Sequence, residues 1–334
     1  MNAWASLFAS LLAVIVCILV SWLGVKGLGL ETLFGVVIPY VALAVFVIGI
    51  VYRVVEWARI PVPFRIPTTC GQGKSLPWIK ADNLEAPYNA WGVIGRMALE
   101  VLLFRSLFRN TKVELREGPS ATYASAKWLW LGGILFHYSF LMIVIRHFRF
   151  FLEPVPGFIE LISSLDGFFQ ILVPTIFISD IVFLGAVTYL FLRRVAIPQM
   201  RYLSLPADYF PLFLILGIGI TGLLMRTIWK VDLLGVKGLA IGLVTFHPTV
   251  PVGVDPIFYV HLFLVSALLI YFPFSKLMHA PGVFLSPTRN LANDNRMKRH
   301  INPWNYPVKV HTYEEYEDDF REKMKEVGLP VDKE

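Results

Sequence analysis

LFHYSFLMIVIRHF occupies residues 135–148. Its basic side chains are His137, Arg146 and His147, and almost everything else is apolar or aromatic. The run begins at Lys127 and continues to Phe151, about the ~20 residues that a helix needs to cross a bilayer. An ionisable side chain inside such a helix is costly and usually has a task. Two histidines ten residues apart in one span therefore set the question of function as well as of fold.

The same pattern recurs along the chain. The sequence has 334 residues, of which 56% are hydrophobic and 16% charged, whereas soluble domains carry about 25% charged residues. Mean hydropathy is +0.62. Apolar runs long enough to span a bilayer fall at residues 6–23, 33–55, 127–151, 170–192, 209–228 and 256–278. An all-α polytopic membrane protein with six transmembrane helices follows. None of the runs alternates with period two, which excludes a transmembrane barrel. The first run lacks the basic start and cleavage site of a signal peptide and is read as a mature helix.

Orientation follows from Lys and Arg. Of the 30 such residues, 24 fall in the 53–127 and 193–201 loops and in the tail from Lys276. The other side holds Lys26, Arg146, Arg149, Arg226, Lys230 and Lys237. The positive-inside rule then places both termini in the cytoplasm, in a multi-pass protein of the cytoplasmic membrane. The net charge of +6 needs no nucleic-acid partner, because this asymmetry explains it.

Four segments emerge. Residues 1–56 form an N-terminal transmembrane hairpin. Residues 57–126 form a cytoplasmic loop that opens with the proline-punctuated stretch 58–78. Within that loop, residues 93–110 carry an apolar stripe rimmed by Arg96, Arg105 and Arg109. This suits a helix lying at the membrane interface, or one docked on a soluble partner. Residues 127–280 form a four-helix unit, and residues 281–334 a polar cytoplasmic tail. The tail's acidic run, residues 314–319, includes Tyr316 and is flanked by Tyr313 and Phe320. It reads either as a docking segment or as a solvated helix.

Only two cysteines occur, Cys17 and Cys70, with no CxxC or CxxCH. A cysteine-ligated iron–sulfur cluster within the chain and a covalent c-type haem are thereby excluded. Cys70, a single thiol, has nothing nearby to mark it as a nucleophile. The histidines are more informative. His137 and His147 lie on the third span, while His261 and His279 belong to the sixth, which runs antiparallel to it. By level, His147 matches His261 at the outer end and His137 matches His279 at the inner end. Each pair suits the axial positions of one low-spin b-type haem. The alternatives are a proton relay and structural polar contacts.

The levels do not match without adjustment. Ten residues of helix rise about 15 Å and eighteen about 27 Å, so the sixth span must bend between its histidines. Pro273 is the expected site. At the outer end, Arg146 and Arg226 are candidate partners for haem propionates. Asp180, Glu153 and Asp166 are candidate proton acceptors for a quinol, with Arg146, Asp180 and Glu153 marking the region of a quinone site. Each also has an ordinary reading, as a snorkelling arginine or a structural ion pair.

The two histidine pairs resemble those of the di-haem cytochrome b subunit of respiratory nitrate reductase, over the third to sixth spans. Over nearly the whole length, the chain is more specifically similar to the membrane cytochrome b of the complex that accompanies dissimilatory sulfite reductase. PVPFRIPTTCGQGKSLPWIK, GRMALEVLLFRSLFRNT and NPWNYPVKVHTYEEYEDDF carry this likeness, together with the N-terminal hairpin. The resemblance implies two haem b groups and menaquinone as substrate, with His137, His147, His261 and His279 as the iron ligands. It implies a cytoplasmic heterodisulfide-reductase-like iron–sulfur partner, a periplasmic multihaem cytochrome c, and further iron–sulfur and membrane subunits. The chain would then be the quinol-oxidising electron-transfer subunit of an oxidoreductase in dissimilatory sulfur metabolism. Other readings are a cytochrome b anchor for a nitrate-reductase-like or heterodisulfide reductase complex, and a proton-coupled transporter with a histidine relay.

Overall fold

The computed structural model describes residues 3–60, 74, 78, 80–109, 112–115, 117–118, 120–124, 126–167, 176–286, 289–294 and 310–333. Most of the proline-punctuated stretch, Cys70, His300 and the start of the fourth expected span lie outside these residues.

Helix α1 spans Ala3–Leu28, and α2 spans Leu33–Ala58 with a π-helical first turn. After the loop helix α3 (Ala90–Leu103) come α4 (Lys127–His147), the short α5 (Gly157–Asp166) and α6 (Ile178–Ala196). The chain continues through α7 (Pro206–Thr227), α8 (Leu233–Val244), α9 (Pro256–Tyr271) and the tail helix α10 (Tyr313–Glu326). Five helical stretches are long and apolar enough to cross a membrane: Ala3–Leu28, Leu33–Ala58, Lys127–Phe150, Pro206–Thr227 and Pro256–Phe274. Helix α6 has the length but also three charges, Asp180, Arg193 and Arg194. These five are the stretches among the described residues; residues 170–175, which open the fourth expected span, lie outside them. Two differences depart from an all-helical reading. One is a two-stranded hairpin, β1 (Lys112–Leu115) with β2 (Ala121–Ala124). The other is that the helix expected over 93–110 is broken at Phe104, in the left-handed region with φ 49°, between Ala90–Leu103 and a one-turn helix, Arg105–Phe108.

Helix α9 is central, packing on α1, α2 and α7, while α4 joins the bundle through α6 and α6 through α7. Val14, Leu214, Val260 and Leu264 fill the middle, and Phe34, Leu239, Phe258 and Tyr259 fill one end. The outward faces of α1 and α2 carry exposed Leu12, Ile15, Leu19, Val47 and Ile48. Inward they present small residues, Ser6, Ser10, Ser21, Ala42 and Gly49, as close helix packing in lipid favours.

The tail helix begins with a capping box in which Thr312 and Glu315 satisfy each other's backbone amides at 3.2 Å. The chain then reverses at Gly328, whose φ of +74° is the left-handed conformation that glycine adopts cheaply. This brings the Asp332 and Lys333 amides to the Glu317 carboxylate at 2.8 and 2.9 Å, with Arg321 Nε at 3.2 Å. The Asp332 amide, followed by Lys333 and Arg321, holds the Glu317 carboxyl below the ordinary glutamate range. A depressed carboxylate stabilises the hairpin above its unfolded value, about 4.3, and loses that contribution as pH falls through the lower native value. Hydrogen exchange of the Asp332 and Lys333 amides should thus show protection at neutral pH that declines below about pH 4. In Glu317→Ala the protection should be weak at every pH.

Candidate functional site

Position follows from helix geometry. His137 and His147 are ten residues apart on α4, about 15 Å along its axis. Helix α9 carries His261 but ends at Tyr271; Phe272–Phe274 is a 3-10 turn and Ser275 is extended. A second 3-10 turn, Lys276–Met278, leads to His279. The chain thus leaves the α-helix at Pro273, where a proline removes a backbone donor and clashes with the preceding turn. His279 is delivered to the level of His137. The ring centroids of His137 and His279 are 6.0 Å apart, and those of His147 and His261 are 6.4 Å apart. The first pair is nearly perpendicular, at 85°, and the second nearly parallel, at 12°.

These separations have a chemical meaning. Two imidazoles bonded at about 2 Å to opposite sides of one metal ion have ring centroids about 6 Å apart, and both pairs stand at that separation. Each ring is also oriented through its other nitrogen. His137 Nδ1 lies 2.7 Å from the Gly133 carbonyl, His147 Nδ1 2.7 Å from Ile143, and His279 Nδ1 2.8 Å from Lys276. A carbonyl only accepts, so Nδ1 carries the proton and Nε2 keeps the lone pair that a metal requires. His261 Nδ1 instead meets Thr221 Oγ1 on α7 at 2.9 Å. That hydroxyl directs its own proton at the Gly217 carbonyl, 2.8 Å away, and so accepts from the imidazole. Beside it, Gly222 leaves room for the ring, since a Cβ there would stand 3.3 Å from His261 Cε1. Among the described residues no group of three or more His, Cys, Asp or Glu gathers as for a bare metal ion. The histidines meet as two pairs, the donor set of a bis-imidazole haem.

Sequence reasoning had no signal for Phe104. Its ring packs edge-on against His137 at 5.0 Å, opposite Phe136 at 4.9 Å. The left-handed break that points it there is a strained conformation for a residue with a side chain. The break is held by Trp130 Nε1 and Tyr138 Oη, which donate to the Leu103 and Leu102 carbonyls at 2.7 and 2.8 Å.

The charged candidates cluster at the His147 end. Arg146 is buried, with Nε 2.9 Å from Asp166 Oδ2 and Nη2 2.7 Å from Asp180 Oδ1. It also donates to Ser179 Oγ at 2.9 Å. Asp166 in turn accepts from the Ser179 amide and hydroxyl at 2.8 and 2.6 Å, tying α5 to the first turn of α6. The Arg146 guanidinium lies 3.7 Å from the Phe177 ring centroid, and that of Arg226 lies 4.2 Å from it. Arg146 and Asp180 are thus brought together. Glu153 is exposed, paired with Lys237 of α8 and apart from that cluster. His247 turns its Nδ1 to the Thr245 carbonyl, outside both pairs.

Removing one member of a buried, hydrogen-bonded charge cluster leaves the others uncompensated, at a cost of about 3–5 kcal/mol. Asp166→Ala should therefore lower thermal stability in detergent sharply. Glu153→Ala, at an exposed pair worth under about 1 kcal/mol, should leave the unfolding temperature almost unchanged.

Residues 88–299 match the nitrate reductase gamma subunit family, a range that includes all four paired histidines. The chain is 50% identical over 279 residues to the Hdr-like menaquinol oxidoreductase cytochrome b-like subunit of Archaeoglobus fulgidus, covering 81% of this chain and 83% of that one. The corresponding subunit of Archaeoglobus profundus is 43% identical over 274 residues, covering 80% of this chain and 81% of its own. With its helical, membrane-spanning architecture, the chain belongs to the nitrate reductase gamma subunit family.

Proposed function

We propose that the chain is a di-haem b membrane cytochrome that passes electrons between menaquinol and a soluble iron–sulfur partner. His147 and His261 hold one haem near the outer face, and His137 and His279 hold the second near the inner face. The observation that carries this reading is the pairing itself: two sets of imidazoles at iron-bridging separation, each with Nδ1 already committed to an acceptor.

Haem at both positions supplies one-electron steps that cross the apolar thickness of the protein. The chain's own residues do the rest. Backbone carbonyls and Thr221 fix ring orientation and tautomer, and Phe104 and Phe136 shield His137. At the outer end, Arg226 and Arg146 supply positive charge toward propionates. Arg146, already engaged by two carboxylates, acts chiefly by fixing α6. Asp180, beside Arg146, marks the region where a quinol's protons are accepted; Glu153, paired with Lys237, stands apart from it. Both termini are cytoplasmic, in the cytoplasmic membrane.

The names of the relatives support menaquinol as donor and heterodisulfide-reductase-like subunits as partners. We assign the chain to the electron-transfer complex of dissimilatory sulfur metabolism. Its assembly includes a cytoplasmic heterodisulfide-reductase-like subunit, a periplasmic multihaem cytochrome c, and further iron–sulfur and membrane subunits.

A reduced-minus-oxidised spectrum of the purified chain should show a low-spin b-type alpha band with two haems per chain; its absence would sink the cytochrome reading. His147→Ala and His261→Ala should each remove the same single haem and leave the other. Loss of both from a variant that still folds would contradict the pairing. Affinity purification of the tagged chain from its native membrane should recover a cytoplasmic iron–sulfur protein together with a multihaem cytochrome c. Recovery of a molybdenum-containing nitrate reductase pair instead would shift the assignment to a nitrate-reductase anchor.

A further inference from the structure

Gly49, Arg53 and Trp57 follow one another at four-residue steps on α2 and so share one face. That face meets the segment carrying His279. A Cβ at Gly49 would stand 2.6 Å from Pro273 Cβ, so only glycine permits the approach. The Phe46 and Phe272 rings pack edge-on at 5.4 Å, and Trp57 comes within 3.5 Å of where a Cβ on Gly282 would lie. Between the two elements is a cleft of about 470 Å³, with Arg53, Trp57, Phe274, Ser275, Lys276 and His279 in its lining. The Lys276 ammonium is already bonded to Asp208 at 2.7 Å. Arg53 is less completely used. Its Nη1 donates to Glu56 at 2.7 Å, its guanidinium lies 6.0 Å from the Trp57 ring, and its Nε is enclosed without a partner. A buried donor with no acceptor is uncommon and marks a place where a group from outside the chain completes the bonding.

We propose that Arg53 binds a carboxylate of the group held by His137 and His279, namely a propionate of the inner haem. This rests on the reading of those histidines as axial ligands. His279 and Arg53 line one cleft, so a haem held at His279 would have the Arg53 guanidinium within the same cleft as a partner for its propionates. A guanidinium retains further donors after one is given to Glu56, in the fork that suits a carboxylate. Arg53 lies outside residues 88–299, the part matching the nitrate reductase gamma subunit family. The N-terminal hairpin therefore contributes a charge that the four-helix unit does not itself contain. Neutralising a propionate next to the iron favours the reduced, less positive state, so Arg53 raises the inner haem's potential.

The test is a potentiometric titration of the full chain, followed through the alpha band, for wild type, Arg53→Gln and Arg53→Lys. His279→Ala identifies which wave belongs to the inner haem. Arg53→Gln should move that wave alone to lower potential, by about tenfold in its redox equilibrium or about 59 mV for one electron. Arg53→Lys, which keeps the charge, should lie close to wild type. Loss of a haem from Arg53→Gln supports the proposal if it is the one His279→Ala removes and Arg53→Lys retains it. A shift of the other wave, or of neither, overturns the assignment and points to a lipid phosphate or a purely structural arginine. Wild-type protein with no alpha band overturns the haem reading, a result distinct from two unshifted waves.

Discussion

A straight helix cannot set two histidines eighteen residues apart opposite two that are ten residues apart. At about 1.5 Å per residue the mismatch is about 12 Å, far more than tilt or side-chain length can absorb. The chain resolves it between Tyr271 and His279 by leaving the α-helix for two 3-10 turns separated by extended Ser275. The rest of the His279 end depends on that change. It sets the His137–His279 separation, places Pro273 against Gly49 of α2, and opens the cleft beside Arg53. Proline supplies the reason to leave the helix. The close approach at Gly49 supplies the reason to leave it in that direction.

The opposite end is organised by charge. Arg146 sits next to His147 in sequence, yet its guanidinium turns away to Asp166, Asp180 and Ser179. A buried guanidinium with two carboxylates is well compensated, and the cluster ties α4, α5 and the start of α6 into one block. His147 and His261 therefore face each other on a fixed frame. Thr221 adds a bond from a third helix, α7. The two sites differ in kind: three rings are oriented by carbonyls of their own helical turn or the turn before, whereas His261 is oriented by a neighbouring helix.

Much of this was legible in the residues. The apolar runs, the antiparallel relation of the histidine-bearing spans and the pairing by level all follow from composition and periodicity. So does the need for a bend near Pro273. The fourth span, expected over 170–192, is described from residue 176 onward, and its helix runs on to Ala196. The helix at 90–103 was expected to continue to 110, and nothing local signals the break at Phe104. Trp130 and Tyr138, decades of residues later in the chain, cap its last carbonyls and hold it there. The strands 112–115 and 121–124 are too short for a period of two to register.

The amino-acid sequence by itself determined that the chain forms long apolar helices of membrane-spanning length and that two of them carry two histidines each. Hydrophobic length and helical rise are local properties, and they depend on no partner. Only the tertiary structure decided what each side chain does once there. Arg146 is engaged by Asp166 and Asp180, Thr221 accepts from His261, Phe104 flanks His137, and Arg53 reaches the cleft beside His279. These relations join residues far apart in the chain, and hydrogen-bond direction and ring separation exist only when the helices are packed together.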